Sequence, residues 1–273
     1  MKHLPLPPSA AKDDRLVTVA CRRGVFTPHL AAWLATYANY RAAGSDPWTV
    51  IPHAFPDPVK IAQRGLYETR KSNGPIRTIR RARGLLCCPL CGSQAPSSVD
   101  HLLPKAVYPE FSVMRANLVP ACAHCNSGSK GNKHRGPVAP ARFIHPYFDA
   151  FANNPIWRIR INPPFPAATF DAVPEPGLTH DQTSIVVYHL ENVLGEAFKE
   201  RTRTTWSTYP GEVQVGADGG PLTDQTVEAA VRMDLRKSTI SEGPNSWRSA
   251  FLRGVLADPA VIADVRARAI AYP

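Results

Sequence analysis

Cys88/Cys91 and Cys122/Cys125 form two CxxC pairs that bracket an Asp100-His101 dipeptide and Asn117, and Asn126 follows the last cysteine directly. Two such pairs supply the four thiolates of a tetrahedral zinc site without requiring the chain between them to be regular. Cys87 sits beside Cys88 and cannot readily share its geometry, so Cys87 and Cys21 are read as non-ligands. His124, inside the second pair, could replace a thiolate, but four cysteines suffice. Zinc alone is a structural inference. The enclosed segment VDHLLPKAVYPEFSVMRANLVPACAHCN adds an acid, an imidazole and two amides at turn-like or strand-edge positions. Those are the parts of a metal-assisted phosphodiester hydrolase.

Phosphodiester cleavage needs a positioned water, charge stabilisation at phosphorus and help for the departing oxygen. A histidine suits the first task because its ordinary pKa lies near neutrality, and His101 is the candidate base. A hard divalent cation suits the other two, and such ions prefer oxygen ligands. Asp100 and Asn126 offer a carboxylate and an amide carbonyl for Mg2+ or Mn2+. Asn117, placed where a second strand opens, can bond the loop backbone and so fix the base's orientation. Neighbouring side chains on a strand point to opposite faces, so the acid and the base converge only if the chain bends there.

As a set, DH at 100–101, NL at 117–118 and CN at 125–126 resemble the HNH endonucleases, whose fold is a ββα-metal core. The resemblance implies His101 as general base, Asp100 and Asn126 as ligands of the catalytic ion, and Asn117 as the residue that steadies the loop. Asn at the third motif position replaces His, which keeps an oxygen ligand and favours Mg2+ or Mn2+ over a softer ion. YPEFS, NLVPAC, HPYFD and NSW are similar to HNH proteins of bacterial anti-phage systems, including the nuclease partner of Septu-type ATPases. That similarity implies a role in defence and a companion ATPase.

The elements that must hold these residues divide into three regions: a basic N-terminal helical region (1–84), the HNH-like module (85–136) and a C-terminal supporting α+β or mainly helical region (137–273). The first dozen residues, with three prolines, read as an extended tail. Helical spacing over 28–42 (Leu30, Trp33, Leu34, Tyr37) and 58–71 (Val59, Ala62, Leu66) predicts two helices, the second closed by SNGP at 72–75. In the module, strands are expected over Ser97–Leu103 and Asn117–Pro120, and a helix from Ala123 to about His134, weakened by Gly128 and Gly131. Roughly fifty residues bury too little apolar surface to be stable alone, so metal–thiolate bonds supply what is missing. Further on, Ile156–Ile161 and Ser184–Tyr188 read as strands, and 207–223 as a long loop. Apolar stripes at Leu190, Val193, Leu194, Ala197, Phe198, at Val227, Ala230, Val231, Leu235, and at Trp247, Ala250, Phe251, Val255 predict three helices.

Charge is distributed unevenly. The 273-residue chain carries a net +10, yet residues 1–142 hold 20 Lys/Arg against 7 Asp/Glu, and the remainder is net −3. Lys60, Arg64, Arg70, Lys71, Arg77, Arg80, Arg81 and Arg83 are opposed only by Glu68, a density that favours a polyanion, with double-stranded DNA the expected partner. Lys105, Lys130, Lys133, His134 and Arg135 are candidate phosphate contacts. No run is long and apolar enough for a membrane span or a signal peptide, which predicts a cytoplasmic protein with reduced cysteines. Two other readings stay open: a non-catalytic zinc module that binds nucleic acid or a protein, and an RNA-cleaving toxin.

Overall fold

A computed structural model describes residues 1–69, 75–80, 84–93 and 95–272. Arg70, Lys71, Arg81 and Arg83 of the basic run, and positions 72–74 of the expected turn, lie outside these residues. Among the described residues the protein is mixed α+β, with helices dominating and two small antiparallel two-stranded sheets.

Among the described residues four α-helices precede the first sheet: α1 (Asp13–Ala20), α2 (Leu30–Ala42), α3 (Asp57–Glu68) and α4 (Pro75–Arg80). In α2 the spacing of Trp33, Tyr37 and Tyr40 puts all three rings on one buried face. Such burial is worth roughly 2–3 kcal/mol per large side chain. Pro58 falls in the first turn of α3, where its missing N–H costs nothing, and Val59, Gln63 and Tyr67 are buried on one stripe. The first dozen residues do not form an extended tail. Met1 is 2% exposed, Lys2 N donates to Pro89 O at 3.0 Å and Leu4 N to Pro146 O at 2.6 Å, and Pro8–Lys12 makes a 3-10 turn. Met1 and Leu4 are apolar enough to join the core despite the prolines around them.

Strands β1 (Ser98–His101) and β2 (Leu118–Ala121) pair antiparallel, with Asp100 opposite Val119 and His101 opposite Leu118. Beyond them, the helix expected to reach His134 is a single π-helical turn, His124–Ser129. Gly131 takes a left-handed φ of +50°, which ends it.

The second sheet pairs β3 (Trp157–Asn162) with β4 (Thr169–Pro174). Helices α5 (His180–Val193), α6 (Glu196–Gly216), α7 (Asp224–Ser241), α8 (Trp247–Leu256) and α9 (Pro259–Ile270) follow. The strand expected over Ser184–Tyr188 is instead the middle of α5. A capping box between Thr179 and Gln182 starts that helix, and Ile185, Val186, His189, Leu190 and Val193 make its buried stripe. The stripe expected to run on to Phe198 is split at Gly195 between α5 and α6. Nor is 207–223 a loop, since α6 continues to Gly216 with Pro210 inside it. A proline there deprives the carbonyl four residues back of its helical partner. Arg268 of α9 supplies one, its Nη1 donating to Trp206 O at 3.1 Å.

One apolar cluster runs without interruption from the four CxxC cysteines through β2 and β3 to α5, α6, α7, α8 and α9. A second cluster joins α2 and α3 to the loop between β1 and β2. Among the described residues no helix is long and apolar enough to cross a membrane.

Candidate active site and metal centre

The four cysteines meet. Cys88, Cys91, Cys122 and Cys125 are all buried, with their sulfur atoms within 4.8 Å of one another, and Cys91 Sγ lies 3.7 Å from Cys122 Sγ. Four sulfurs about 2.3 Å from a tetrahedral zinc ion would stand roughly 3.8 Å apart, so the donor set and its spacing fit. Cys88 is held well below the ordinary thiol value by hydrogen bonds from Cys122, Cys125 and Cys91, whereas the same contacts push Cys125 up. Such a cluster cannot shed all its protons unless a cation replaces them. Cys21 and Cys87 stand outside it, and His124 donates to Val193 O at 3.2 Å.

The backbone of the first knuckle is held from far along the chain. Leu90 O accepts from His189 Nε2 at 2.7 Å, Cys91 O from Trp247 Nε1 at 2.6 Å, and Gly92 O from Trp247 N at 3.1 Å. Gly92 has φ +76°, and a Cβ there would run into the Asn245 carbonyl and Met1 N. Only glycine fits that turn.

Asp100 and His101 end β1, both buried, at 4% and 7% exposure. The strand stays regular through the pair and bends only at Leu102, so the two side chains meet different neighbours. The His101 ring packs edge-on to Tyr67 of α3, with centroids 4.3 Å apart, and its Nε2 lies 2.9 Å from Ser112 O. A carbonyl only accepts, so Nε2 carries the proton and the neutral ring's lone pair is on Nδ1. Asp100 Oδ2 lies 3.1 Å from Lys130 Nζ without a well-directed hydrogen bond. Burial pushes the Asp100 carboxyl up to about 6, against the opposing pull of Lys130.

Lys130 directly follows the π-helical turn and is fully buried, its Nζ donating to His101 O at 2.8 Å. It is therefore not an exposed phosphate contact. Its charge neutralises Asp100, as a buried ammonium requires. Of the other phosphate candidates, Lys105 pairs with Glu68 at 3.0 Å and lies over the Tyr67 ring. Lys133 Nζ donates to Asn192 Oδ1, and Arg135 stacks on Trp48.

Asn117 is 0% exposed and exchanges two hydrogen bonds with one residue of the loop. Leu103 N donates to its Oδ1 at 2.8 Å and its Nδ2 donates to Leu103 O at 2.9 Å. The amide thus imitates a strand partner for a loop that has left the sheet. Asp13 of α1 holds the preceding turn, its Oδ2 accepting from Arg115 N at 2.8 Å and Ala116 N at 3.3 Å. Asn126 lies half-buried in the π-helical turn, with no side-chain hydrogen bond among the described residues. Asp100 and Asn126 are hard oxygen donors suited to Mg2+ or Mn2+. The fit is incomplete, because an ion on Asp100 has to share that carboxylate with Lys130 or displace it.

Ser112, Tyr67 and Asp13 have no part in the site read from spacing, and Lys130 enters it only as a candidate phosphate contact. Ser112 acts through its backbone, which no side-chain pattern reports, and Asp13 arrives from the far end of the chain. Lys130 alone had a local sign: it stands four residues beyond Asn126, one helical turn along.

No protein-family model and no solved structure matches the chain. Over 176 residues it is 32% identical to protein ea31 of Escherichia phage lambda, an alignment covering 55% of this chain and 57% of that one. The chain therefore spans little more than half the length of that relative.

Proposed function

We propose that the protein is an HNH-type endonuclease that hydrolyses phosphodiester bonds of DNA, with the four cysteines as a zinc-bearing frame. The observation that carries this reading is His101 at the end of β1, its Nε2 committed to the Ser112 carbonyl. In the neutral ring this tautomer carries its lone pair on Nδ1, which is the basic nitrogen. Asn117 fixes the loop that supplies this carbonyl, and the His101 ring accepts the proton of a water aimed at phosphorus. Asp100 and Asn126 would hold a divalent ion, which supplies charge stabilisation at the phosphate and the leaving oxygen when bound. The excess of basic residues before position 142 supports a polyanionic substrate. A role in anti-phage defence and a companion ATPase belong to the same proposal.

A plasmid-cleavage assay with Mg2+ or Mn2+ tests the reading. Nicking or linearisation should vanish with EDTA and with His101→Ala, and turnover retained by His101→Ala would remove the assignment. Parallel challenges with duplex DNA and tRNA separate a DNA enzyme from an RNA-cleaving toxin. One observation favours a second, non-catalytic reading. Lys130 already neutralises Asp100, so the carboxylate needs no ion for charge balance. Metal-independent DNA binding without cleavage would select that reading.

A further inference from the structure

Asn117 makes one contact that the loop alone does not explain. Tyr40 Oη of α2, fully buried, lies 3.1 Å from Asn117 Oδ1 and 3.0 Å from His145 Nε2, with Ala116 O farther away at 3.4 Å. The direction of this chain is determined by chemistry. His145 Nδ1 accepts from Tyr147 N at 3.0 Å, so the neutral ring carries its proton on Nε2. That proton is donated to Tyr40 Oη, and the single phenolic proton goes to Asn117 Oδ1, the nearer acceptor. Asn117 Nδ2 also lies 3.4 Å from Phe111 O, and the next carbonyl along, Ser112 O, is the one that holds His101. The His145 backbone is pinned as well, its main-chain N–H donating to Asp149 Oδ2 at 2.6 Å, and Asp149 pairs with Arg142 at 2.6 Å. Burial holds the His145 imidazole down at about 3, so it stays neutral across the working range.

We propose that Tyr40 and His145 are positioning residues of the nuclease site: a one-way chain from His145 through Tyr40 sets the Asn117 amide and the loop carbonyl that orients His101. This rests on the nuclease reading above. Nothing in the spacing of the motif residues points to either residue, yet the chain joins an N-terminal helix and the HPYFD segment to the same amide.

An internal control lies one turn away on α2. Tyr37 is equally buried and also packs on Phe111, but its hydroxyl has no hydrogen-bond partner among the described residues. Steady-state plasmid cleavage should show kcat reduced tenfold or more in Tyr40→Phe, with KM, zinc content and melting temperature near wild type. Tyr37→Phe should match wild type throughout. His145→Gln, whose amide can still donate to Tyr40, should retain more kcat than His145→Leu. Ring-nitrogen NMR of His101 gives a readout apart from turnover: the Nε2-protonated form should dominate in wild type and Tyr37→Phe, and lose population in Tyr40→Phe. Wild-type kcat in both Tyr40→Phe and His145→Leu, with an unchanged His101 spectrum, would overturn the proposal. If the wild-type protein cleaves nothing with either ion, the nuclease reading falls. The spectrum alone then decides the chain, supporting it if Tyr40→Phe shifts His101 and overturning it if not.

Discussion

The two sheets are built alike, each a pair of antiparallel strands, and they differ in what they bury. In β3 exposure alternates, with Trp157, Ile159 and Ile161 inward and charged residues outward. Its outer face carries ion pairs such as Arg160–Asp171 at 2.7 Å, half-exposed on both sides. In β1 and β2 nearly every residue is buried, Asp100 and His101 included. A strand covered on both faces has no solvent to satisfy its polar side chains, so each needs a specific partner. Lys130 serves Asp100, and Ser112 O serves His101. The contrast teaches how to separate charge that decorates a surface from charge a fold has gone to lengths to accommodate.

Substitutions on the two sides should therefore differ in kind as well as size. The largest effect should come from Cys122→Ser, which should lose the zinc and with it binding free energy on the order of 10 kcal/mol. Elemental analysis and thermal unfolding measure this, and a stable, zinc-free, active variant would refute the frame role. His101→Ala should lower cleavage roughly a hundred- to ten-thousandfold, with zinc content and DNA retention on a gel unchanged. Acid comes next. Asp100 must be ionised to hold a cation, and its carboxyl sits at about 6, so the cleavage rate should fall progressively as pH drops through that value. The sign for stability is opposite. A raised carboxyl contributes stability that is complete below its ordinary value and is lost as pH rises through about 6. Activity and melting temperature should therefore move in opposite directions between pH 5 and 7 as far as Asp100 is concerned, and a parallel rise would count against this role. On the other sheet, a Cβ on Gly254 of α8 would collide with the Ile159 carbonyl. Gly254→Ala should cost about 1–3 kcal/mol in denaturant unfolding without touching the His101 ring spectrum. Smallest of all, Arg160→Ala should change stability by less than about 0.5 kcal/mol.

The frame was far more legible in the sequence than the contacts that complete it. CxxC spacing is a local constraint, and the stripes of α2, α3, α7 and α8 are local too, so each can be read from a short window. Ser184–Tyr188 misleads because SIVVY has the β-branched composition of a strand, while the capping box that makes it helical lies five residues upstream. TYPGE in α6 reads as a turn because the arginine that replaces the lost proline bond lies 58 residues further on, at Arg268. The site divides the same way. Asp100, His101, Asn117 and Asn126 stand out by type and order, whereas Asp13, Tyr40 and His145 matter through partners some 100 residues or so away in the chain. Lys130 was visible as a basic residue, but its burial was not, since that depends on a carboxylate on another element.

The carbonyls of the first knuckle have a consequence for synthesis. All the candidate catalytic residues and all four cysteines are in place by residue 126, yet the knuckle's backbone is completed by His189 and Trp247. A growing chain thus carries its whole chemical kit long before it can close the frame around it. Closure of that knuckle has to wait until α5 and α8 have been made, well after the last of the four cysteines.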